Sequence, residues 1–477
     1  MEKRKVGLAD LPPVALRKIW TDEAGDSPSG LQECFAAEAS CKALRAALRG
    51  PILGSLRVGG ACEGKQAWAL QTHPSASRLQ IYGSAASPEG QAFLNALQPQ
   101  AVTEIECCRV PGCLPDPAAF TNLIKLKVNC VDCNPAWLAS LSLLPKLATM
   151  ELNLTAAPAC SSRTSSSSFV HRLPMMRNLR SCKLFIESGA AVCICLALLP
   201  ALEKLDMWGS IQMHWDPNID RGTAEVVGDA RNSPKDGALQ LPCRLRKLDL
   251  ALSVATLDFE AMPTLDTATL WAEELHDAAS IASASCLSEL HLGTELYEYT
   301  RLDQYWVAAM LTAAASLPAL RVLTLLGTYW DQDVADALVS MSNVKILALA
   351  EPEDNFFDDE EAARPVMGPG PLWDGLRALH WAIPDPLPQA IRAAAQLVML
   401  GYNSHPTPEE VAAIRSLPLL RSAKFPPPRG GQPPCWTREE LEGGMPGTAS
   451  LQVGFSNFLC RQTESFVSQA KVAGLLE

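Results

Sequence analysis

The chain has 477 residues, of which 48% are hydrophobic, and it carries a formal net charge of −12. Nucleic acids and anionic membrane surfaces bind clustered lysine and arginine, so this charge argues against both as partners. No apolar run reaches the roughly 18 residues of a membrane-spanning helix, and Asp10 and two prolines interrupt the region where a secretory signal would need an apolar core. We therefore expect a protein of the cytoplasm and/or nucleus whose scattered cysteines are reduced.

Residues 8–50 are predicted to form a short helical module. Leu16, Ile19 and Trp20 make an apolar stripe at helical spacing, and the prolines that precede them suit a first helical turn. A second apolar stripe, which includes Phe35, continues in helical phase toward Leu48.

Two motifs within this module resemble those of a known family. The first is Leu11-Pro12, Leu16 and Ile19-Trp20, and the second is Ala39-Ser40-Cys41-Lys42-Ala43-Leu44-Arg45. Together they resemble an F-box, with Trp20 where phenylalanine is usual and Leu44 where tryptophan is usual. The resemblance implies docking on a Skp-type adaptor of a cullin-RING ubiquitin ligase through Leu11, Pro12, Leu16, Ile19 and Trp20. A second interpretation is that the same helices only cap the first of the repeats that follow.

A periodic leucine pattern occupies the chain from residue 51 to residue 426. The stretch Ser316–Thr328 has the form LPxLxxLxL, in which Leu320, Leu323 and Leu325 are expected to point inward from a short strand. Taking the first residue of LxxLxL as an anchor, the matches begin at Leu53, Ala76, Val102, Leu123, Leu147, Leu179, Leu202, Leu245, Leu265, Leu287, Leu320, Val344, Leu376, Leu397 and Leu420. Most steps between anchors fall in the window of roughly 20 to 29 residues that is typical of leucine-rich repeats.

The repeats predict an α/β solenoid, with a curved parallel sheet on the concave side and helices on the convex side. The longest steps between anchors indicate loop insertions near 155–170, 211–240 and 351–370. Thr407-Pro408-Glu409-Glu410 has the pattern of a helical capping box. Residues 427–477 are interpreted as a tail or cap, in which the apolar stretch from Phe466 to Leu476 is placed to cover the last repeat.

The middle residue of each LxL motif should project from the concave face, where we expect a protein substrate to bind. These candidate contacts are Lys127, Glu151, Lys183, Asp206, Asp249, Thr269, His291, Thr324, His380 and Lys424, and the same row contains Ala348 and Gly401. Their mixed charge suits a protein or peptide better than a phosphate backbone. Trp208, Trp271, Trp330 and Trp381 lie at strand ends, where they either anchor a partner or pack on the next repeat.

The usual catalytic and metal-binding motifs are absent from the sequence. It contains no phosphate-binding loop, zinc helix or nucleophile elbow, and the CxxC at Cys130 and Cys133 lacks a second pair at zinc-ribbon spacing. We therefore expect no enzyme, no cofactor and no metal. The sequence is best interpreted as the substrate-recognition adaptor of an SCF-type ubiquitin ligase; the alternative is an interaction scaffold whose first helices only cap the solenoid.

Overall fold

The computed structural model describes residues 55–58, 77–82, 99–108, 119–131, 135–154, 170–186, 191–209, 223–227, 244–293, 305–327, 331–350, 365–383, 386–404, 406–425, 450–453 and 459–476. The helical module predicted for residues 8–50 lies outside these ranges and stays a prediction. The chain divides into two compact units, which are described separately. Unit 1 comprises Met1–Ser165 and Leu173–Leu184, and unit 2 comprises Ser166–Arg172 and Phe185–Glu477.

Unit 1 is a ladder of parallel strands in which each strand pairs with the next repeat's strand. Its strands are β1 (Ser55–Val58), β2 (Arg78–Tyr82), β3 (Glu104–Cys108), β4 (Lys125–Val131), β5 (Thr149–Leu154) and, as far as Leu184, β7 (Ser181–Ile186). They pair in parallel in the order β1, β2, β3, β4, β5, and β5 also pairs with β7. The connection between β4 and β5 holds helix α1 (Pro135–Ser140) and a 3-10 turn (Leu141–Leu143).

Unit 2 continues the same architecture with more strands. They are β6 (Val170–Arg172), β8 (Ala191–Cys195), β9 (Lys204–Gly209), β10 (Thr223–Val227), β11 (Lys247–Leu257), β12 (Thr267–His276), β13 (Glu289–Gly293), β14 (Val322–Leu326), β15 (Ile346–Ala350), β16 (Ala378–Ala382), β17 (Met399–Tyr402), β18 (Ser422–Phe425) and β19 (Ser450–Val453). Strand β9 pairs with β11, and from β11 to β19 each strand pairs in parallel with the next.

One hydrogen-bonding step recurs from repeat to repeat at the start of the strands. The carbonyl of Arg321 accepts from the N–H groups of Lys345 at 2.8 Å and Ile346 at 3.0 Å, and the carbonyls of Ser288 and Lys345 each accept from two N–H groups in the same way. The predicted inward leucines of this region, Leu320, Leu323 and Leu325, are at most 2% exposed. The chain therefore folds as the α/β leucine-rich repeat solenoid that the sequence predicts.

Strand β10 lies inside the segment 211–240, which the sequence analysis assigned to a loop. Thr223–Val227 pairs in parallel with β8 on one side and with the second half of β11 on the other, and β6 pairs with β8. The first half of β11 pairs with β9, and its second half pairs with β10. Strand β11 therefore belongs to two ladders, and β12 pairs with both halves of it. The Ala-Glu-Val-Val run of β10 carries the β-branched signal of a strand, but in isolation it is too short to predict one.

Several of the described connecting segments hold 3-10 helices in place of α-helices. The shortest repeats use the 3-10 helices Phe259–Ala261, Ala278–Ser283 and Gln389–Ala393, and two further 3-10 turns are Pro99–Ala101 and Leu196–Leu198. A 3-10 helix rises further per residue than an α-helix, so it spans the convex side with fewer residues. Longer repeats hold α2 (Tyr305–Ala314), α3 (Gln332–Val339), α4 (Pro371–Gly375) and α5 (Pro408–Arg415), and α6 (Leu459–Val472) follows β19. None of the helices described here is long and apolar enough to cross a membrane.

The capping box predicted at the start of α5 is present and does more than cap the helix. Thr407 Oγ1 accepts from the Glu410 N–H at 3.3 Å, and Glu410 Oε2 accepts from the Thr407 N–H at 2.6 Å. The other carboxylate oxygen of Glu410 accepts from the Leu387 N–H at 2.7 Å and from the Tyr402 hydroxyl at 2.8 Å. Burial, followed by the hydrogen bond to Glu410, raises the pKa of the Tyr402 phenol. Glu410 therefore links Leu387, Tyr402 on β17 and the start of α5, which belong to two neighbouring repeats.

Replacing Glu410 with alanine is expected to lower the free energy of unfolding by roughly 2 to 4 kcal/mol, because two buried donors and one partly buried donor lose their acceptor. Glu409→Ala is the matched control, since Glu409 is exposed in the same helical turn and should change stability by less than about 0.5 kcal/mol. Urea denaturation of both variants measures the difference. Equal stability of the two would show that water replaces the Glu410 carboxylate at no cost.

Candidate protein-binding surface

The strand register places the predicted substrate contacts in one row within each unit. In unit 1, Glu106, Lys127 and Glu151 are direct neighbours on β3, β4 and β5, and Lys183 lies on β7, which pairs with β5. In unit 2 the row runs through Asp206, Asp249, Thr269, His291, Thr324, Ala348, His380, Gly401 and Lys424. The structure thus brings these residues together as two rows; their contact with a substrate stays a prediction.

The row in unit 1 is a network of paired charges. Lys127 Nζ lies 3.3 Å from Glu151 Oε1 and 3.7 Å from Glu106 Oε1, and Arg78 lies 3.5 Å from Glu106. Burial would raise the pKa of Glu106, but a hydrogen bond from Gln80 and the charges of Lys127 and Arg78 outweigh it and lower that pKa. Such half-exposed pairs contribute about 1 kcal/mol or less each to stability. They present a fixed pattern of alternating charge.

The row in unit 2 begins with two neighbouring carboxylates. Asp206 and Asp249 are register partners on β9 and β11, and Lys204 Nζ lies 2.6 Å from Asp206 Oδ2. Asp206 Oδ1 is buried and has no hydrogen-bond partner within the described part of the chain. Burial, followed by the charge of Asp206, raises the pKa of Asp249, although Lys247, Lys204 and His291 oppose the shift. A cationic or N–H group of a partner would stabilise this pair.

Two tryptophans lie near these carboxylates: Trp208 is two residues after Asp206 on β9, and Trp271 is two residues after Thr269 on β12. Trp208 and Trp271 are half-buried, and the register puts Ala251 between them. A Cβ on Gly293 would lie 3.3 Å from the Trp271 ring, so a small residue there leaves room for the indole. The other two tryptophans differ: Trp381 is 1% exposed and belongs to the core, which is the packing alternative, and Trp330 lies outside the described residues.

From β14 to β17, several residues at the outward positions are apolar and buried. They are Val322, Ile346, Ala348, Ala378 and Met399, all at most 6% exposed. In β14, β15 and β16 both faces of the strand are therefore buried. The sequence analysis placed Ala348 in the row but did not recognise the patch, because it named only the middle residue of each LxL motif. The signal that identifies it is an apolar residue at both outward positions of β15, Ile346 and Ala348, where β9, β11, β12 and β13 carry charged or polar residues.

Helix α6 covers this patch. Its buried side chains Phe466, Val467 and Ala470 follow helical spacing, and with Leu475 they pack on the outward residues of β14–β17. The turn that follows α6 contains Gly474, whose φ of 73° is left-handed, and the Leu475 N–H donates to the Ala470 carbonyl at 3.2 Å. The expectation that this apolar stretch covers the last repeat is therefore corrected: strand β19 extends the ladder beyond β18, and α6 lies on the outward face of earlier strands.

Charged and polar groups hold the edges of this contact. Lys471 Nζ on α6 donates to Glu289 Oε2 at 2.6 Å, and His291 Nε2 lies 3.6 Å from the same oxygen. Lys424 on β18 donates to Gln469 Oε1. The hydrogen bond with His291 lowers the pKa of Glu289 to about 2 against the effect of burial, and Lys471 adds to the shift. Glu289 is thus a fixed negative charge at one edge of α6.

His380 lies at the centre of the contact. Its ring stacks on Phe466 with centroids 5.1 Å apart and an interplanar angle of 27°, and it is 0% exposed. Burial, with a further contribution from Lys424, lowers its pKa to about 4, so the imidazole is neutral at pH 7. Neither ring nitrogen has a hydrogen-bond partner among the described residues.

The candidate surface is therefore divided. The charged row of unit 1 and, in unit 2, Asp249, Trp208 and Trp271 are only partly buried, whereas Asp206, Thr324 and His380 are 7%, 3% and 0% exposed. The prediction that His380 and Thr324 contact a substrate does not describe this structure, because neither side chain is accessible. No group of three or more potential metal ligands occurs in the described ranges, and Cys133 of the CxxC motif lies outside them.

No protein-family model and no curated protein matches the sequence. Among solved structures, a leucine-rich repeat protein of Leptospira interrogans is 12% identical, with a TM-score of 0.40 over 84% of this chain and 94% of that one. An internalin of Listeria monocytogenes is 14% identical, with a TM-score of 0.34 over 77% and 89%. Human 5T4, a trophoblast glycoprotein, is 19% identical, with a TM-score of 0.25 over 38% and 59%. TM-scores this low do not by themselves establish the fold. The assignment of the fold as a leucine-rich repeat solenoid therefore rests on the ladder of parallel strands.

Proposed function

We propose that this chain is the substrate-recognition adaptor of an SCF-type ubiquitin ligase and binds a protein substrate on the concave repeat face. In this proposal residues 8–50 dock on a Skp-type adaptor, and the solenoid raises the effective concentration of the substrate near the ligase. The protein itself carries out no catalysis, and it works in the cytoplasm and/or nucleus.

What supports the recognition part is the outward row of unit 2, where a carboxylate pair lies beside two half-buried indoles. Partly buried tryptophans supply large contact areas at protein interfaces, and a carboxylate such as Asp249 that lies beside a second carboxylate favours a cationic partner group. What supports the ligase part is the sequence resemblance of Leu11-Pro12, Leu16 and Ile19-Trp20 to an F-box, directly before the repeats. These residues lie outside the described ranges, so the ligase part depends on experiment.

The test is co-purification of the full chain with a Skp-type adaptor. Leu16→Asp and Ile19→Asp are each expected to abolish the complex, because a carboxylate in an apolar interface loses its hydration without gaining a partner. The urea midpoint of the solenoid should stay within experimental error of the unmodified chain. Val366→Asp is a matched control at a 69% exposed apolar position and should bind as the unmodified chain does.

The alternative, a scaffold whose first helices only cap the repeats, predicts a different pattern. Under that hypothesis no adaptor binds the well-folded full chain, and Leu16→Asp lowers the stability of the first repeats. The two measurements together therefore separate the hypotheses.

A further inference from the structure

We propose that the outward face of β13–β18 is a binding surface for an amphipathic helix of a partner protein, and that α6 occupies it in cis until the partner displaces it. This inference rests on the proposed recognition function and names the class of partner. It does not depend on the ligase part of that proposal.

The first argument is that the face is shaped for a helix. Outward positions of a solenoid strand normally meet water, yet here Val322, Ile346, Ala348, Ala378 and Met399 form a continuous apolar surface. Gly401 opens a space beside His380, because a Cβ there would lie 2.5 Å from His380 Nδ1 and 3.2 Å from the Phe466 ring. One aromatic side chain of a helix fills that space.

The second argument is that α6 fits the surface imperfectly. Docking buries both ring nitrogens of His380 without a hydrogen-bond partner in the described structure, and each buried unpaired polar group costs roughly 1 to 3 kcal/mol. At the same time Val472 on α6 is 87% exposed, so part of its apolar surface is not used. A helix that carried a hydrogen-bonding group toward His380 would bind this surface better than α6 does.

The contacts of α6 define the chemistry of the partner. It needs an aromatic residue at the position of Phe466, an aliphatic residue next to it, a small residue one turn later as at Ala470, and a cationic residue that follows it as Lys471 does. The cation pairs with Glu289, whose carboxylate is kept ionised. A serine, threonine or glutamine near the aromatic residue would bond to His380, which α6 leaves unpaired.

A labelled peptide of residues 459–477 is the probe for this surface. It is expected to bind the full-length Phe466→Asp variant, in which the cis helix is released, at least about tenfold more tightly than the unmodified chain, because a tethered competitor acts at a local concentration of the order of millimolar. Val472→Asp is the matched control, since the same change on the exposed side of α6 should leave the surface occupied. A peptide that itself carries Phe466→Asp should not bind.

Absence of peptide binding by a Phe466→Asp chain that unfolds as cooperatively as the unmodified chain would overturn the proposal and make α6 a permanent part of the fold. If that variant does not fold, amide hydrogen exchange of the unmodified chain tests the proposal instead. Exchange of α6 amides at least about 100-fold faster than those of β14–β16 supports displacement, and exchange only together with these strands overturns it. A dimer of the unmodified chain that exchanges α6 would also overturn it. Adaptor co-purification is independent of every one of these outcomes.

Discussion

Replacing Gly401 with alanine is expected to release helix α6 while leaving the strand ladder intact. The new Cβ would lie 2.5 Å from His380 Nδ1 and 3.2 Å from Phe466 Cδ2, so one of the two stacked rings must move. Overpacking of this kind costs typically about 1 to 3 kcal/mol, and the contact between α6 and the sheet bears that cost. Hydrogen exchange should show α6 amides exchanging roughly 10- to 100-fold faster than in the unmodified chain.

The substitution also has a stabilising effect, which opposes the overpacking and is smaller. Glycine to alanine changes reduce the entropy of the unfolded chain and stabilise by about 0.4 to 1 kcal/mol where the new side chain fits. Gly368→Ala isolates that effect, because nothing lies within 4 Å of a Cβ at this position. Exchange of α6 in Gly401→Ala that is no faster than in Gly368→Ala would mean that the imidazole shifts without loss of the Phe466 contact.

The strand ladder is predictable from the sequence because its pattern is local. Each repeat places its own inward leucines, as at Leu323 and Leu325, and its neighbours repeat the same register. The Thr407–Glu410 capping box is equally local, since its two hydrogen bonds close within one helical turn. The second use of Glu410, as acceptor for Tyr402 and Leu387, depends on how two repeats stack and has no sequence signal of its own.

The position of α6 could not be predicted by the same reasoning. Phe466 and His380 are far apart in the sequence, and an apolar stretch near one end of a solenoid fits the end repeat as well as the outward face. The outward residues of β14–β17 determine where α6 packs. In the sequence, only the absence of charged residues at these positions taken together indicates it. Ala348 and Gly401, which stood in the predicted row as neutral members, are the residues that let a helix approach the sheet.

Lowering the pH from 7 to 5 is expected to weaken the docking of α6 by up to about 2 kcal/mol, because each pKa unit corresponds to about 1.4 kcal/mol. Burial lowers the pKa of His380 from 6.5 to about 4. Release of α6 is expected to expose the ring and restore that pKa, so between these values the released state binds more protons than the docked state. The contribution of His380 is complete above about pH 6.5 and is lost progressively as the pH falls toward 4. The charged group that adds to this shift is Lys424, on β18.

Glu289 has a separate, more acidic window. Its pKa is lowered from 4.5 to about 2, so its contribution is complete above about pH 4.5 and disappears only as the pH falls toward 2. Exchange of α6 amides, corrected for the intrinsic effect of pH, should therefore accelerate first in the window of His380. His380→Leu removes the titrating group and is expected to flatten the profile between pH 6.5 and 4.5, whereas Glu289→Gln should leave that part unchanged. An unmodified chain and His380→Leu with the same profile would show that the imidazole stays buried when α6 opens, and that release proceeds without exposing the centre of the surface.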